Sequence, residues 1–291
     1  MQESIFRTAL QQQMGKLINP SIIIEEFSSV GEGLINTSSI VKTNHGHYFV
    51  KYNKDGDPQL FEKEVSNLGL LAQARAVKTP EVIGAFTIEN MPVLLLEYIE
   101  EGTPHFDFWR DFGTGLARLH KNSAPQFGLD YNNYIGILPQ LNTKYDLWID
   151  FFIQCRLEPM LKRALDTNKA DHTLVQKFES LYGKLNEIFP EEKPALLHGD
   201  LWGGNCMADM NGDPVMYDPA SYYGHREMDL AMSNLFGGFD AEFYDAYNEE
   251  FPLEKNWKQR IPICNLYPLL VHANLFVGSY MQSIKNILNR F

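Results

Sequence analysis

His198-Gly199-Asp200-Leu201-Trp202-Gly203-Gly204-Asn205 reads H-x-D-L-x-x-x-N, and a second acid closes the run Met216-Tyr217-Asp218. Phosphoryl transfer needs a carboxylate to orient an attacking hydroxyl, then an amide and a further carboxylate to hold a divalent cation. Asp200 is therefore the candidate catalytic base. Asn205 and Asp218 are the candidate Mg2+ ligands, because a few hard oxygen donors leave positions for phosphate oxygens and water. Taken singly, Asp200 reads as a turn cap and Asp218-Pro219 as a turn former. It is the combined spacing that points to chemistry.

A triphosphate also needs a cation and a backbone cradle, and both stand upstream in the expected order. Lys51 ends the apolar run Tyr48-Phe49-Val50, and strand alternation puts it on the same face as Phe49. The helical pattern that follows carries Glu64 at the edge of its apolar stripe, between Phe61 and Leu68. A Lys51–Glu64 pair would fix the ammonium against the α- and β-phosphates of ATP. Glu62 is the fallback partner and sits further round the helix. Gly31-Glu32-Gly33 lets backbone approach phosphate closely, and Asn36 completes that loop, although a plain hairpin turn accounts for the glycines equally well. Glu97-Tyr98-Ile99 would offer main-chain groups to an adenine edge, or serve only as a linker.

Other residues near the acid loop have plainer roles. Trp202 offers a ring face to a sugar or fills core. His198 is expected to brace the loop through hydrogen bonds, and Asp229 to tie it together from the following helix. Cys206 reads as a small buried residue.

These groups need a scaffold, and the texture of the chain suggests one. Residues 1–18 carry a loose helical stripe. Short β-branched and aromatic runs at 22–27, 38–43 and 48–52 form an antiparallel meander, with a turn at Asn44-His45-Gly46. Asp57-Pro58 starts a helix that runs to about residue 74, with Asp57 as its N-cap. Strands follow at 82–88 and 92–98. Beyond Glu100-Glu101-Gly102 the pattern turns helical, over 108–120, 144–165, 172–189 and 226–291, the last broken by Pro252, Pro262 and Pro268. Only 195–197, 206–209 and 214–217 read as strands there, with a hairpin turn at Asn211-Gly212. The expectation is an α+β, bilobed, protein-kinase-like fold. Its small antiparallel-sheet N-lobe spans 1–98, its joint 99–102, and its larger, mostly helical C-lobe 103–291.

Bulk properties narrow the class. The 291 residues carry a net charge of -12, which disfavours a nucleic-acid surface. That charge serves solubility and would also favour a cationic substrate. Cys155, Cys206 and Cys264 are too few and too scattered for a disulfide framework or a zinc site. The first residues lack the basic-then-apolar pattern of a signal peptide, and the densest apolar run, Val93–Leu96, cannot span a bilayer. A cytoplasmic protein with no membrane partner is expected.

The string Leu196–Asn205, the run Asp218-Pro219-Ala220-Ser221-Tyr222-Tyr223-Gly224-His225-Arg226-Glu227-Met228-Asp229, and the pieces Val30–Asn36, Tyr48–Lys51, Phe61–Glu64 and Trp148–Leu157 resemble the fructosamine kinase family across essentially the whole chain. Aminoglycoside phosphotransferases and choline kinases share the His-Gly-Asp and the later Asp, but more often have His-Pro where this chain has Trp202-Gly203. The resemblance implies ATP-dependent phosphorylation of a sugar hydroxyl on a ketosamine, free or carried on protein lysines. It implies Asp200 as base, Asn205 and Asp218 on Mg2+, and Lys51 with Glu64 on the nucleotide. Trp202 and His225 are the candidate substrate contacts, and a monomer or weak dimer is expected. Leu34 stands where some members carry a Cys, so no loop-cysteine switch is expected. Glu32 occupies a position that is often Gly. The rival readings are a kinase for an aminoglycoside, choline or a thio-sugar, and a nucleotide-binding pseudokinase. A protein kinase is disfavoured, because the short segment after Asp218 leaves no room for a long activation loop.

Overall fold

The run Val93–Leu96 is buried throughout, because both faces of its strand are covered. This computed structural model describes residues 2–32, 36–53, 56–57 and 59–291. The small lobe contains α1 (Gln2–Leu17), β1 (Ile24–Glu32), β2 (Thr37–Thr43), β3 (Gly46–Tyr52), α2 (Gln59–Ala74), β4 (Val82–Ile88) and β5 (Met91–Glu97). The strands form one five-stranded sheet in the order β1-β2-β3-β5-β4, and every pairing is antiparallel. Side chains alternate between its faces. Val50, Val93 and Leu95 pack with Phe6, Leu10 and Met14 of α1. Phe49, Leu94 and Leu96 pack on the other face with Leu60, Phe61 and Leu68 of α2. Lys51 thereby falls on the α2 face, as alternation with Phe49 requires.

The large lobe begins with α3 (Phe108–His120) and continues with the hairpin β6 (Asn133–Ile135) and β7 (Leu138–Gln140). Helices α4 (Trp148–Phe151), α5 (Glu158–Asp166), α6 (His172–Tyr182) and α7 (Leu185–Ile188) follow. Strands β8 (Ala195–Leu197), β9 (Cys206–Ala208), β10 (Pro214–Met216) and β11 (Tyr222–Gly224) come next. The chain ends in α8 (Glu227–Leu235), α9 (Ala241–Glu250), α10 (Trp257–Cys264), α11 (Leu266–Leu275) and α12 (Tyr280–Leu288). One large apolar core joins these helices, with Phe112, Phe151, Phe178, Leu230 and Leu270 fully enclosed.

The two lobes meet at a tight joint. The N–H of Gly102 donates to Ala208 O at 2.9 Å. A Cβ at residue 102 would lie 2.2 Å from Asp209 O, so only glycine lets the joint pack on the β9–β10 hairpin.

Several elements differ from expectation. The helix expected from residue 144 begins at Trp148, and Phe152–Leu157 within it is wound as a π-helix. The β6–β7 hairpin and β11 add to the expected strands; the connection at Gly136-Ile137 lacks the Asn-Gly pair that marks the β9–β10 turn. Asp57 does accept the N–H of Gln59 at 2.9 Å, in the manner of a cap. Pro58, like Gly33, lies outside the described residues. Among the described residues no helix is long and apolar enough to cross a membrane.

Candidate active site

Strand β8 is wholly buried and pairs with β11, so the loop that leaves it starts from a fixed point. Asp229, at the start of α8, accepts the N–H groups of His198 (2.7 Å) and Gly199 (2.9 Å) and a bond from His120 Nε2 (3.1 Å). Burial alone would raise its pKa. The His120 hydrogen bond and neighbouring positive charge outweigh that and hold the carboxyl below its ordinary value. His198 is buried, donates from Nε2 to Tyr217 O at 2.9 Å, and accepts from the N–H of Asp200 at 3.3 Å. Both residues brace the loop, as the sequence suggests. Gly199 has φ +86°, and a Cβ there would lie 2.1 Å from Ala220 O.

That bracing presents Asp200 to the cleft. Asn205 Nδ2 donates to its main-chain oxygen at 2.8 Å and to its carboxylate at 3.0 Å. Removal from water pushes the Asp200 pKa up to about 7; the Asn205 bond works against this, and the charges of Asp218 and Asp229 add to it. The main-chain oxygen of Asn205 accepts from the N–H of Tyr217 at 3.0 Å, which ties the acid loop to the residue before Asp218. Asp218 has φ +57°, an uncommon conformation for a residue with a side chain.

Lys51 joins the lobes electrically. Its Nζ donates to Glu64 Oε1 at 2.7 Å and also bonds Asp218 Oδ1. Burial alone would lower the Lys51 pKa. The charges of Asp218 and Glu64 more than offset it, so the ammonium is held above the ordinary lysine range. Glu62, the fallback partner, is exposed on the other side of α2.

These side chains line one cleft of about 820 Å³, which takes in Asn36, Lys51, Glu64, Asp200, Asn205 and Asp218. Its far wall is aromatic. Trp202 lies edge-on to Phe236 (5.9 Å between centroids), and Phe236 leads on to His272 (4.7 Å) and Tyr280. Phe236, His272, Phe276 and Tyr280 were not legible as cleft residues, because aromatic residues on helical tails look the same whether they face a core or a cavity.

His225 is fully buried between Trp148 (5.7 Å) and Phe189 (5.3 Å), so it is corrected from a substrate contact to a core residue. Gly31 sits in β1 opposite Ser38, after a bulge that begins at Ser29. Glu97 ends β5 and Tyr98 and Ile99 follow it at the joint, and the N–H of Glu97 is taken by Glu81 O at 2.8 Å.

A small antiparallel lobe set against a larger helical one is the fold of the protein-kinase-like phosphotransferases. A choline kinase from Streptococcus pneumoniae shares it, with a TM-score of 0.60 at 15% identity over 98% of this chain and 99% of that one. The fructosamine kinase family profile matches residues 6–291, and the chain belongs to that family. A probable ketoamine kinase of Enterococcus faecium is 41% identical over 89% of this chain and 92% of its own. A chloroplastic protein-ribulosamine 3-kinase of Arabidopsis thaliana is 35% identical over 92% of this chain and 83% of its own. A Thermobifida fusca crystal structure, provisionally assigned as a fructosamine-3-kinase, superposes with a TM-score of 0.87 at 32% identity over 97% of each chain.

Proposed function

We propose that this cleft moves the terminal phosphoryl group of ATP to a sugar hydroxyl of a ketosamine, with Asp200 as the base. Family membership makes the chain an ATP-dependent kinase for a ketosamine-type small molecule. The observation that supports these residue roles is the convergence of Lys51, Asp200, Asn205 and Asp218 on one cleft from both lobes.

Asp200 accepts the hydrogen bond of the substrate hydroxyl and takes its proton as the new O–P bond forms and the bond to the ADP oxygen breaks. Asn205 holds the carboxylate at a fixed angle. Lys51, kept charged by Glu64, reaches the α- and β-phosphates. Trp202 packs against the sugar.

The donor set fits Mg2+. Asn205 and Asp218 offer hard oxygens, and among the described residues no group of three or more His, Cys, Asp or Glu side chains gathers as a closed metal cage. When bound, the ion supplies neutralisation of phosphate charge. Catalysis rests on positioning and charge, with no covalent enzyme intermediate.

The test is a panel. The purified protein is incubated with ATP and MgCl2 and with ribose-, erythrose- and glucose-derived ketosamine adducts of lysine, both free and on a carrier protein. Choline and an aminoglycoside serve as comparison alcohols, and products are read by 31P NMR. Phosphorylation confined to the ketosamines is expected. Turnover of choline or the aminoglycoside alone would overturn the assignment.

A further inference from the structure

The segment just after Asp218 is held by an unusual set of buried amides. The carbonyls of Pro219, Ala220 and Ser221 accept, in turn, from Asn67 Nδ2 (3.0 Å), Gln140 Nε2 (2.9 Å) and Asn133 Nδ2 (2.8 Å). Gln140 and Asn133 come from the β7 and β6 strands of the large lobe. Asn67 comes from α2 of the small lobe, one turn beyond Glu64. All three amides are at most 2% exposed.

The amides also bind one another. Asn67 Oδ1 accepts from Asn133 Nδ2 at 3.1 Å and from the Tyr131 hydroxyl at 3.3 Å. Asn133 Oδ1 accepts from Gln140 (2.9 Å) and from Asn142 (2.8 Å), and Asn142 accepts in turn from the buried Arg156 at 2.8 Å. Both ends of the Asn67 amide are therefore committed to the large lobe. The π-helical turn that carries Arg156 anchors the far end of the chain, with the guanidinium 3.8 Å from the Tyr222 ring.

We propose that Asn67 and Asn133 are positioning residues that clamp α2 to the segment after Asp218, so that Glu64 is held against Lys51 whether or not nucleotide is present. The reasoning is geometric. Residues three apart share a helix face, so Asn67 sits beside Glu64. One amide that binds Pro219 O and Asn133 at once fixes that face relative to Asp218. A buried network of this kind stays closed because opening it strands several polar groups at once. Rotation of α2 away from Lys51 would have to break it. This inference rests on the reading of Lys51–Glu64 as a nucleotide-holding pair.

The test is a double-mutant cycle with Asn67→Ala and Glu64→Gln on the full chain, read by direct nucleotide binding, steady-state kinetics and hydrogen exchange. Asn67→Ala is expected to raise KM for ATP about tenfold, to leave KM for the ketosamine within about twofold, and to speed exchange over residues 60–72. In the Glu64→Gln background the same change should add less than about twofold. Leu181→Ala, a core truncation in α6, should lower Tm without moving KM for ATP. If Asn67→Ala does not fold, Tyr131→Phe removes only one hydroxyl from Asn67 and should still speed exchange in α2. A folded Asn67→Ala or Tyr131→Phe protein with wild-type exchange in α2 would overturn the clamp, as would full multiplication of the two effects in the cycle. A Glu64→Gln protein with unchanged nucleotide affinity would remove the pair itself, and the clamp's purpose with it.

Discussion

One amide holds two parts of one acid: Asn205 Nδ2 donates both to Asp200 O, at 2.8 Å, and to the Asp200 carboxylate, at 3.0 Å. The bond to Oδ2 restrains the carboxylate and leaves Oδ1 without a bond from Asn205. Asp200→Ala should lower kcat by roughly 10²–10⁴-fold, the usual size of a general-base contribution. Nucleotide affinity should hold within about twofold, as measured by direct titration. Equal turnover in variant and wild type would take Asp200 out of the reaction.

Asp218 is the other half of the argument. Its carboxylate bonds Lys51 and faces the same cleft as Asn205. In Asp218→Ala, nucleotide affinity should no longer rise when MgCl2 is added. The comparison is a nucleotide titration with and without the ion. An intact magnesium effect would mean that the ion is held by other groups.

Gly199 offers a test that touches no catalytic atom. Its left-handed φ of +86° and the 2.1 Å approach of Ala220 O to a Cβ leave no room for a methyl group. Gly199→Ala should cost about 2 kcal/mol or more of stability, from the backbone strain alone. It should also depress kcat, because Asp200 is the next residue. Urea unfolding measures the first effect, and a midpoint equal to wild type would show that the loop can relax.

His225 makes a prediction about pH. Burial lowers its pKa to about 4; Glu192 pulls it up, and Arg260 and Arg226 push it down. The unfolded chain takes up a proton at about pH 6.5, while the folded one resists until about pH 4. Stability contributed by this residue is therefore present above pH 6.5 and is lost as pH falls through that window. Between pH 7 and pH 5 the loss from His225 comes to about 2 kcal/mol. His225→Asn should flatten the decline in urea midpoint by a corresponding amount. Identical declines in the two proteins would show that other groups carry the pH dependence.

Much of the site was legible because its parts are local. Phe49 and Lys51 are two apart on a strand, and Phe61, Glu64 and Leu68 follow helical spacing, so strand and helix periods alone put the lysine and the glutamate on inward faces. His198, Asp200 and Asn205 lie on one short loop. His225 was misjudged for the opposite reason. It sits in a motif shared with the family, but a motif does not say which of its side chains face water. The β6–β7 hairpin is not legible because its connection, Gly136-Ile137, lacks the Asn-Gly signal that marks β9–β10. With it went Asn133 and Gln140, and with them the contacts of Asn67.

The sequence by itself determined the chemical inventory and the local geometry that presents it: an acid, an amide and a second acid at kinase spacing, a lysine on a strand, a glutamate on the next helix. Short-range sterics and periodicity encode such relations directly. Tertiary structure alone decided which distant groups meet. Lys51 reaches Asp218 across 167 residues, and Asn67 reaches Pro219 across 152. Those meetings depend on how the two lobes close against a shared joint, and that closure is a property of the packing of the whole chain, which no short window of residues contains.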